Sequence, residues 1–334
     1  MARSFGSSSP TQPFSVGDIV SAAFQLYRSH LKQYLGIAVR ATLWLLLPML
    51  GLGVIFGLAV LVAEAQSNLI GLIVLLIPVV IALFIYCGAK AQMNWAIIAW
   101  LAYGDLIQQP ESTQAGRRLL SPRIWRFFWA QVLVALLLGV VNFGLSTVQQ
   151  IVLSSVSVIL GNQSVLIGLL FMVLYLISTA VYAWFAARWS LPELPIAVEN
   201  ATVSTSITRN WDLTQGQTMR VLTVLFIGLL VTLPLYILAF LPLGLALIAT
   251  AASLAIGDTG AIISVVTALV LSLLLLLPIG LLVTPFWQTL KAVLYYDLRS
   301  RREGLDLKLR PRPDLRPDRG EVSENRSEDR SGES

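Results

Sequence analysis

Few residues in this 334-residue chain are of the types that carry chemistry. One cysteine, Cys87, and one histidine, His30, exclude an internal disulfide, a zinc site built on cysteines and a histidine cluster. We expect Cys87 to pack as a small apolar residue and His30 to lie at the level of lipid headgroups. The sequence therefore predicts no catalytic residue, no metal site and no cofactor, and an enzyme is the least favoured class of protein.

The best remaining pair of charged residues is Glu199 with Arg209, in a polar interval at 195–216 between two very apolar stretches. On one continuous helix the two side chains lie roughly three turns apart, so a salt bridge requires the chain to fold back around Ser204. Alternative partners of Glu199, where helix ends converge, are Arg188, Lys90 and Lys291. The interval is either a structural connector or a groove for a lipid headgroup or partner protein. Its candidate residues are Pro195, Glu199, Arg209, Trp211 and Gly216.

The composition indicates the class of protein that holds these residues. Apolar residues make up 56% of the chain, charged residues 12%, and the mean hydropathy is +0.77. In soluble domains roughly a quarter of the residues are charged, so the sequence predicts a polytopic membrane protein. The net charge of +5 does not indicate a nucleic-acid partner, because nearly all basic residues lie between apolar runs or in the carboxyl-terminal tail.

Six apolar runs, each close to the roughly twenty residues that cross a bilayer, predict six transmembrane helices. They lie near residues 41–62, 69–88, 128–148, 165–187, 221–240 and 262–284. Each pair of runs follows a basic segment. This threefold repeat predicts an all-α protein of three helical hairpins with interfacial helices on the cytoplasmic side. In the first run, Gly53 and Gly57 have a spacing that allows close helix packing.

The region 221–256 is longer than one span and contains Pro234 and Pro242. Because proline breaks or bends a helix, we interpret this region as a kinked span followed by a short helix at the outer surface. A seventh span is the alternative, and it would place the carboxyl terminus outside the cell, against the distribution of basic residues.

Both ends of the chain lie outside the predicted membrane domain at 15–298. Residues 1–14 are predicted to be disordered. Apolar residues then recur at helical spacing over 15–35, after a capping box of Ser15 and Asp18, and we expect this helix to lie flat in the headgroup region. Residues 299–334 are predicted to be a disordered charged tail. Its candidate contacts to anionic lipid headgroups are Arg299, Arg301 and Arg302. The cytoplasmic orientation of the chain would explain these basic residues equally well.

The distribution of Lys and Arg predicts the orientation of the chain. The three hairpin turns, around Glu64, Asn162 and Asp258, contain neither residue, whereas the amino-terminal segment, both long connectors and the tail contain several. Basic residues accumulate in short loops on the cytoplasmic side. Both termini are therefore predicted to be cytoplasmic.

Two passages carry a resemblance to a known family: PIAVENATVSTSITRNWDLTQG at 195–216 and YYDLRSRREGLDL at 295–307. Together with the order of elements, they resemble the bacterial membrane-domain family named after the membrane part of glycerophosphoryl diester phosphodiesterase. Asn210 stands where that family has Ser. The resemblance covers residues from 14 to about 309 and implies a bacterial inner membrane protein without the namesake's catalytic barrel. The matching positions are Pro195, Glu199, Ser206, Arg209, Leu213 and Gly216.

Two functions follow from these observations. A non-enzymatic protein that organises membrane lipids or partner proteins at the cytoplasmic face is favoured by the interfacial helices and the charged tail. A transporter or channel for a lipid-like or small amphiphilic substrate is the alternative, because internal repeats commonly frame a binding site at the membrane midplane. The spans contain few polar residues at mid-depth, notably Asn142 and Thr232, and Gln149 and Gln150 lie near the outer end of the third span, so the sequence gives little support to a polar pathway.

Overall fold

The computed structural model describes residues 14–65, 70–160, 164–255 and 261–304. This part of the chain forms ten α-helices, and a 3₁₀ turn at Ser121–Arg123 joins the fourth helix to the fifth. The helices are α1 (Val16–Ser29), α2 (Leu31–Ala65), α3 (Ile70–Leu106), α4 (Thr113–Leu120), α5 (Ile124–Leu160), α6 (Ser164–Arg188), α7 (Glu193–Glu199), α8 (Val203–Thr214), α9 (Thr218–Ala255) and α10 (Ala261–Glu303).

Six helices in the described ranges are long and apolar enough to cross a membrane: α2, α3, α5, α6, α9 and α10. Each overlaps one of the six predicted runs, so the predictions of an all-helical fold and of six apolar helices are confirmed for the described residues, and six such helices are consistent with a multi-pass membrane protein. Neighbouring long helices pack together, α2 on α3, α5 on α6 and α9 on α10, and α10 also packs on α3. Of the predicted turns, Glu64 lies near the end of α2, and Asn162 and Asp258 lie outside the described residues.

The short outer helix predicted after a kinked span within 221–256 is wrong, because α9 continues from Thr218 to Ala255 through Pro234 and Pro242. A proline removes one backbone hydrogen bond, but in an apolar helix the remaining groups have no better partner than the helix itself. The described residues therefore contain neither a separate outer helix nor a seventh span in this region.

The amino-terminal helix begins as predicted and ends earlier. At the capping box, the Ser15 hydroxyl accepts from the Asp18 amide at 3.2 Å, and the Asp18 carboxylate accepts from the Ser15 amide at 2.9 Å. A single helix over 15–35 is wrong, because α1 ends at Ser29 and the chain turns at His30 into α2. Both helices pack against α10, while α1 also packs on α9 and α2 on α3.

The buried face of α1 packs within the protein. Ile19, Ala23 and Leu26 are buried against α10 and α9, and the ring of Tyr27 packs edge-on against Phe286 of α10, with centroids 6.2 Å apart. The expected position of this helix in the headgroup region stays a prediction.

The last helix is longer than predicted, so the tail does not begin at residue 299. α10 continues to Glu303, and two ion pairs between residues four apart stabilise its last turns: Arg301 with Asp297 at 3.1 Å, and Arg299 with Glu303 at 3.0 Å. Gly304, with a φ of 57°, then ends the helix in the left-handed conformation that glycine favours. The rest of the predicted tail and residues 1–13 lie outside the described ranges.

The main apolar core lies at one end of the long helices, which we call the basic end because Lys90, Arg188, Arg220 and Lys291 lie there. It combines α1 with residues 93–103 of α3, parts of 187–197, and 286–298 of α10. Away from this end the apolar side chains are exposed, and such extensive exposure fits contact with lipid better than contact with water. Examples are Leu50 at 72%, Phe143 at 72% and Ile248 at 71%.

The close helix contact involves a different glycine from those that the sequence singled out. A Cβ placed on Gly228 of α9 would lie 2.6 Å from Cδ2 of Leu290 on α10. No described atom lies within 4 Å of such a Cβ on Gly53 or Gly57, so these two glycines are not at a helix contact in the described part of the chain.

Candidate functional site

The polar interval folds into two short helices joined by a tight turn. α7 ends at Asn200, whose backbone is left-handed with a φ of 57° and a ψ of 29°, a conformation that asparagine adopts more readily than most residues. Thr202 then caps α8, because its side-chain oxygen accepts from the Thr205 amide at 3.3 Å. The fold-back is thus present, but it lies at 200–202 and not around Ser204.

The turn brings Arg209 onto Glu199, the pair that the sequence singled out. Arg209 Nε donates to Glu199 Oε2 at 3.2 Å, and its Nη2 donates to Oε1 at 3.4 Å. The Tyr295 hydroxyl donates to the same Oε1 at 2.5 Å, and Arg299 Nε lies 3.5 Å from it. The Glu199 carboxylate therefore joins α7 to α8 and α10.

Glu303 completes this group at the end of α10. Its carboxylate accepts from Arg209 Nη2 and from Arg299 Nε, the latter at 3.0 Å. Arg299 Nη1 also donates to the Tyr103 hydroxyl at 2.9 Å, which extends the connection to α3. We call this group the first charge cluster, and its members are Glu199, Arg209, Tyr295, Arg299 and Glu303.

A second charge cluster surrounds Asp297, whose side chain is only 2% exposed. Arg220 Nε lies 3.1 Å from Oδ2, and Arg301 Nε lies 3.1 Å from both carboxylate oxygens. Both guanidinium groups also donate to the backbone carbonyl of Phe14, so this residue is held in place and the predicted disorder does not include it. Sequence reasoning missed Asp297 and Arg220, although the spacing of four between Asp297 and Arg301 was a signal for a helical ion pair.

The lysines suggested as partners of Glu199 bind other groups. Lys291 Nζ lies 2.7 Å from Glu193 Oε1 at the start of α7. Lys90 Nζ lies over the Tyr86 ring, 5.5 Å from its centroid. Both suggestions are therefore wrong, because each lysine has a nearer partner on its own or a neighbouring helix.

Arg188, the third suggested partner, lies between aromatic rings. Its guanidinium is 4.0 Å from the centroid of Trp211 and 4.6 Å from that of Trp184, within the range of cation–π attraction. Trp189 also packs against Trp211, with ring centroids 5.8 Å apart. The candidate residue Trp211 thus anchors α8 to the end of α6, and Arg188 does not contact Glu199.

Two arginines of α5 and the adjoining turn bind the end of α7. Arg123 Nη1 donates to the Ile196 carbonyl at 3.1 Å, and Arg126 Nη1 donates to the side-chain oxygen of Asn200 at 3.0 Å. The last carbonyls of a helix have no partner within the helix, so these arginines satisfy groups that would otherwise be unpaired. From the sequence, both arginines were interpreted only as basic residues that set the orientation of the chain in the membrane.

The remaining candidate residues contribute to the structure of the protein and its internal hydrogen bonds. Pro195 is buried in α7, and Gly216 has a φ of 76°, which favours glycine at the turn into α9. Arg302 Nη2 donates to the carbonyl of Gln215. All three arginines predicted to contact lipid headgroups, Arg299, Arg301 and Arg302, thus bind acceptors within the protein, and headgroup contact stays a prediction.

Asn210, where the resembling family has Ser, is 1% exposed. Neither its amide nitrogen nor its amide oxygen has a hydrogen-bond partner in the described part of the chain, and such unpaired buried groups are uncommon. Cys87 is buried, as expected for a small apolar residue. His30 Nδ1 lies 3.0 Å from the Ser29 hydroxyl and 3.5 Å from Oδ2 of Asp105.

Comparison of the chain with models of known protein families, with curated proteins and with solved structures gives no match. The possible roles of the site therefore follow from its geometry. The carboxylates of Glu199, Glu303 and Asp297 each bind at least two cationic groups. This arrangement holds α7, α8, α9 and α10 together at the basic end.

Proposed function

We propose that this chain is a non-enzymatic integral membrane protein that organises lipids or partner proteins at the cytoplasmic face of a bacterial inner membrane. Its six spans form three hairpins, and both termini are cytoplasmic. The basic end supports this orientation, because its lysines and arginines lie together beside the long apolar helices, as the positive-inside rule requires.

The pairing of charges at the basic end is the observation that carries the proposal. In both charge clusters the carboxylates are bound by guanidinium groups, and Lys291 binds Glu193 in the same manner. Groups that neutralise one another fix helix ends, whereas a catalytic acid or base must be able to reach a substrate. The pairing therefore supports a structural role for the basic end: it fixes the helix ends while the exposed apolar surface of the helices contacts lipid.

We also infer a relationship to the membrane-domain family that the two passages resemble. Its support is that the passages meet in space: Arg209 of the first binds Glu303 of the second, and Glu199 accepts from Tyr295. A contact between the passages makes them one structural unit, which is what a shared family signature predicts.

Purification of the full-length protein in a mild detergent, followed by lipid analysis and mass spectrometry of bound proteins, tests the proposed function. The total lipid extract of the same membranes serves as the reference. We expect one lipid class to be enriched over its share in the membrane, or a partner protein to be retained in stoichiometric amount. A lipid content equal to that of the extract, with no retained partner, would contradict the proposal.

Transport of a small amphiphile is a second candidate, and a polar cavity of about 250 Å³ between α5 and α6 favours it. Its lining includes Asn142 and Gln149, which the sequence singled out, and Ser178 and Thr179, which sequence reasoning missed. Hydroxyl groups in apolar helices often bond to their own backbone, so they give little signal in the sequence. Polar groups that face one another inside spans commonly mark a substrate path.

Uptake of a fluorescent amphiphile into proteoliposomes tests this second function. Replacement of Asn142 and Gln149 by Leu removes both amide side chains from the lining and should abolish uptake. Gln150→Leu, next to the cavity in sequence and outside its lining, should leave uptake unchanged. Equal uptake by the parent protein, both variants and protein-free vesicles would exclude transport of the probe.

A further inference from the structure

A cavity of about 390 Å³ lies at the basic end between α2, α3 and α4, apart from both charge clusters. Three of its lining residues are cations, one from each helix: Arg40, Lys90 and Arg117. No carboxylate is among the described residues that line it. The charged residues that line the cavity are therefore all positive.

The three cations have no ion-pair partner within the described ranges. Nε of Arg117 is buried and lacks a hydrogen-bond partner there, Lys90 lies over the Tyr86 ring, and Arg40 is exposed. By contrast, most other arginines of the basic end bind carboxylates, carbonyls or aromatic rings of the protein. The positive charge of this trio is thus not neutralised by any carboxylate of the described residues, although the three cations line one cavity.

Positive charges that share a cavity repel one another, and an anion placed between them would remove this cost. The polar group that the protein supplies nearby is Asn94, and its Nδ2 already donates to the Lys90 carbonyl at 2.8 Å. Two guanidinium groups and an ammonium together offer many N–H donors. Donors of this kind match the several acceptor oxygens of a phosphate group.

The cavity also has apolar lining residues, and those on α2 continue along the helix from Arg40. Leu43, Trp44 and Leu47 follow Arg40 at helical spacing, and the two leucines are 59% and 43% exposed. The Trp44 ring packs edge-on against Tyr86, with centroids 5.8 Å apart. An occupant with an anionic group at one end and a hydrocarbon chain at the other would contact both parts of this surface.

We propose that the cavity is a binding site for the phosphate group of an anionic phospholipid, held by Arg40, Lys90 and Arg117, with an acyl chain along the apolar face of α2. This inference rests on the proposed function and specifies the lipid class and its site. The volume is that of a site for a small ligand, which suits a single headgroup. A soluble phosphate ester shares the anionic group but would leave the apolar lining residues uncovered.

Lipid-dependent thermal stability of the full-length protein in detergent tests the site. Phosphatidylglycerol and phosphatidylcholine with identical acyl chains are titrated at low salt, and the half-saturating lipid concentration is measured. We expect phosphatidylglycerol to act at a markedly lower concentration. Each of Arg40→Gln, Lys90→Gln and Arg117→Gln should raise that concentration about fivefold, the effect of roughly one surface cation on binding to anionic lipid.

Arg118→Gln is the matched control, because Arg118 neighbours Arg117 on α4, is exposed and does not line the cavity. It should bind phosphatidylglycerol like the parent protein. Lys90→Arg, which keeps the charge, should also retain binding. If Arg117→Gln does not fold, Arg40→Gln still tests the site, because Arg40 is exposed at the cavity rim.

Three results would overturn the inference. Equal half-saturating concentrations for both lipids would exclude recognition of the anionic headgroup. Parent-like binding by all three Gln variants would place the lipid elsewhere, and the proposed function would stand if the protein still purified with an enriched lipid. A full stabilising effect of glycerol phosphate alone would show a site for soluble phosphate and not for lipid.

Discussion

The first charge cluster makes a specific prediction about the stability of the protein. Glu199→Gln keeps the shape of the side chain but removes the negative charge that Arg209 and Arg299 face. Arg209→Gln removes the cation that bridges Glu199 and Glu303. Both changes disrupt the Glu199–Arg209 pair, so their effects on the free energy of unfolding should be coupled.

The expected size of the effect follows from the exposure of the pair. Hydrogen bonds to charged groups contribute roughly 1.5–3 kcal/mol, whereas fully exposed ion pairs contribute about 0–1 kcal/mol. The side chains of Arg209 and Glu199 are 31% and 25% exposed, which places them between these cases. We therefore expect each single variant to lose about 1.5 kcal/mol, and the double variant about 2 kcal/mol instead of the additive 3.

Thermal unfolding of the detergent-solubilised protein measures these losses. At roughly 2 °C per kcal/mol, each single variant should lower the Tm by about 3 °C and the double variant by about 4 °C. Asp212→Asn is the matched control, because Asp212 is an exposed carboxylate on α8 without an ion pair in the described part of the chain. Additive losses would refute the coupling. Parent-like stability together with the loss of a bound lipid or partner would instead identify a binding groove.

Three further predictions concern other parts of the fold. Asp297→Asn should cost about 1.5–3 kcal/mol in thermal unfolding, because the buried Asp297 carboxylate is the ion-pair partner of Arg220 and of the more exposed Arg301. Gly228→Ala should lower the stability by about 1–3 kcal/mol through its clash with Leu290, whereas Gly53→Ala should not lower it. Hydrogen bonds at the helix cap hold the pKa of the Asp18 carboxyl below its ordinary value of 3.8, so the protection factors of α1 amides, corrected for the intrinsic pH dependence of exchange, should fall as the pH drops below about 4 and be constant above it.

The spans and the helix cap could be predicted because they depend on neighbouring residues. An apolar run of roughly twenty residues is recognisable by itself, and the capping box requires only Ser15 and Asp18. The effect of Pro234 and Pro242 depends on the surroundings of the helix, so the predicted short outer helix was wrong. The end of α1 was also missed, because neither a glycine nor a proline marks the turn at His30.

The site was predictable only where its partners are close in sequence. The fold-back between Glu199 and Arg209 was recognised as a requirement, although its signal, an Asn followed closely by a capping Thr, lies at 200–202. Asp297 and Arg220 are far apart in the chain, and only the packing of α9 on α10 brings them together. The cations around the proposed lipid site come from three helices. The positions of Lys and Arg in the sequence indicate only the orientation of the chain, not that these three side chains share a cavity.

The orientation of the basic end is the claim on which both lipid proposals depend, since the anionic headgroup site lies there. A reporter that is active only in the cytoplasm tests it directly in fusions along the full chain. We expect activity after Gly104, after Gln215 and at Ser334, and no activity after Gln66, Asn162 or Asp258. An active fusion at Asp258, or a silent one at Gln215, would place the basic end outside the cytoplasm or change the number of spans, and would contradict the account.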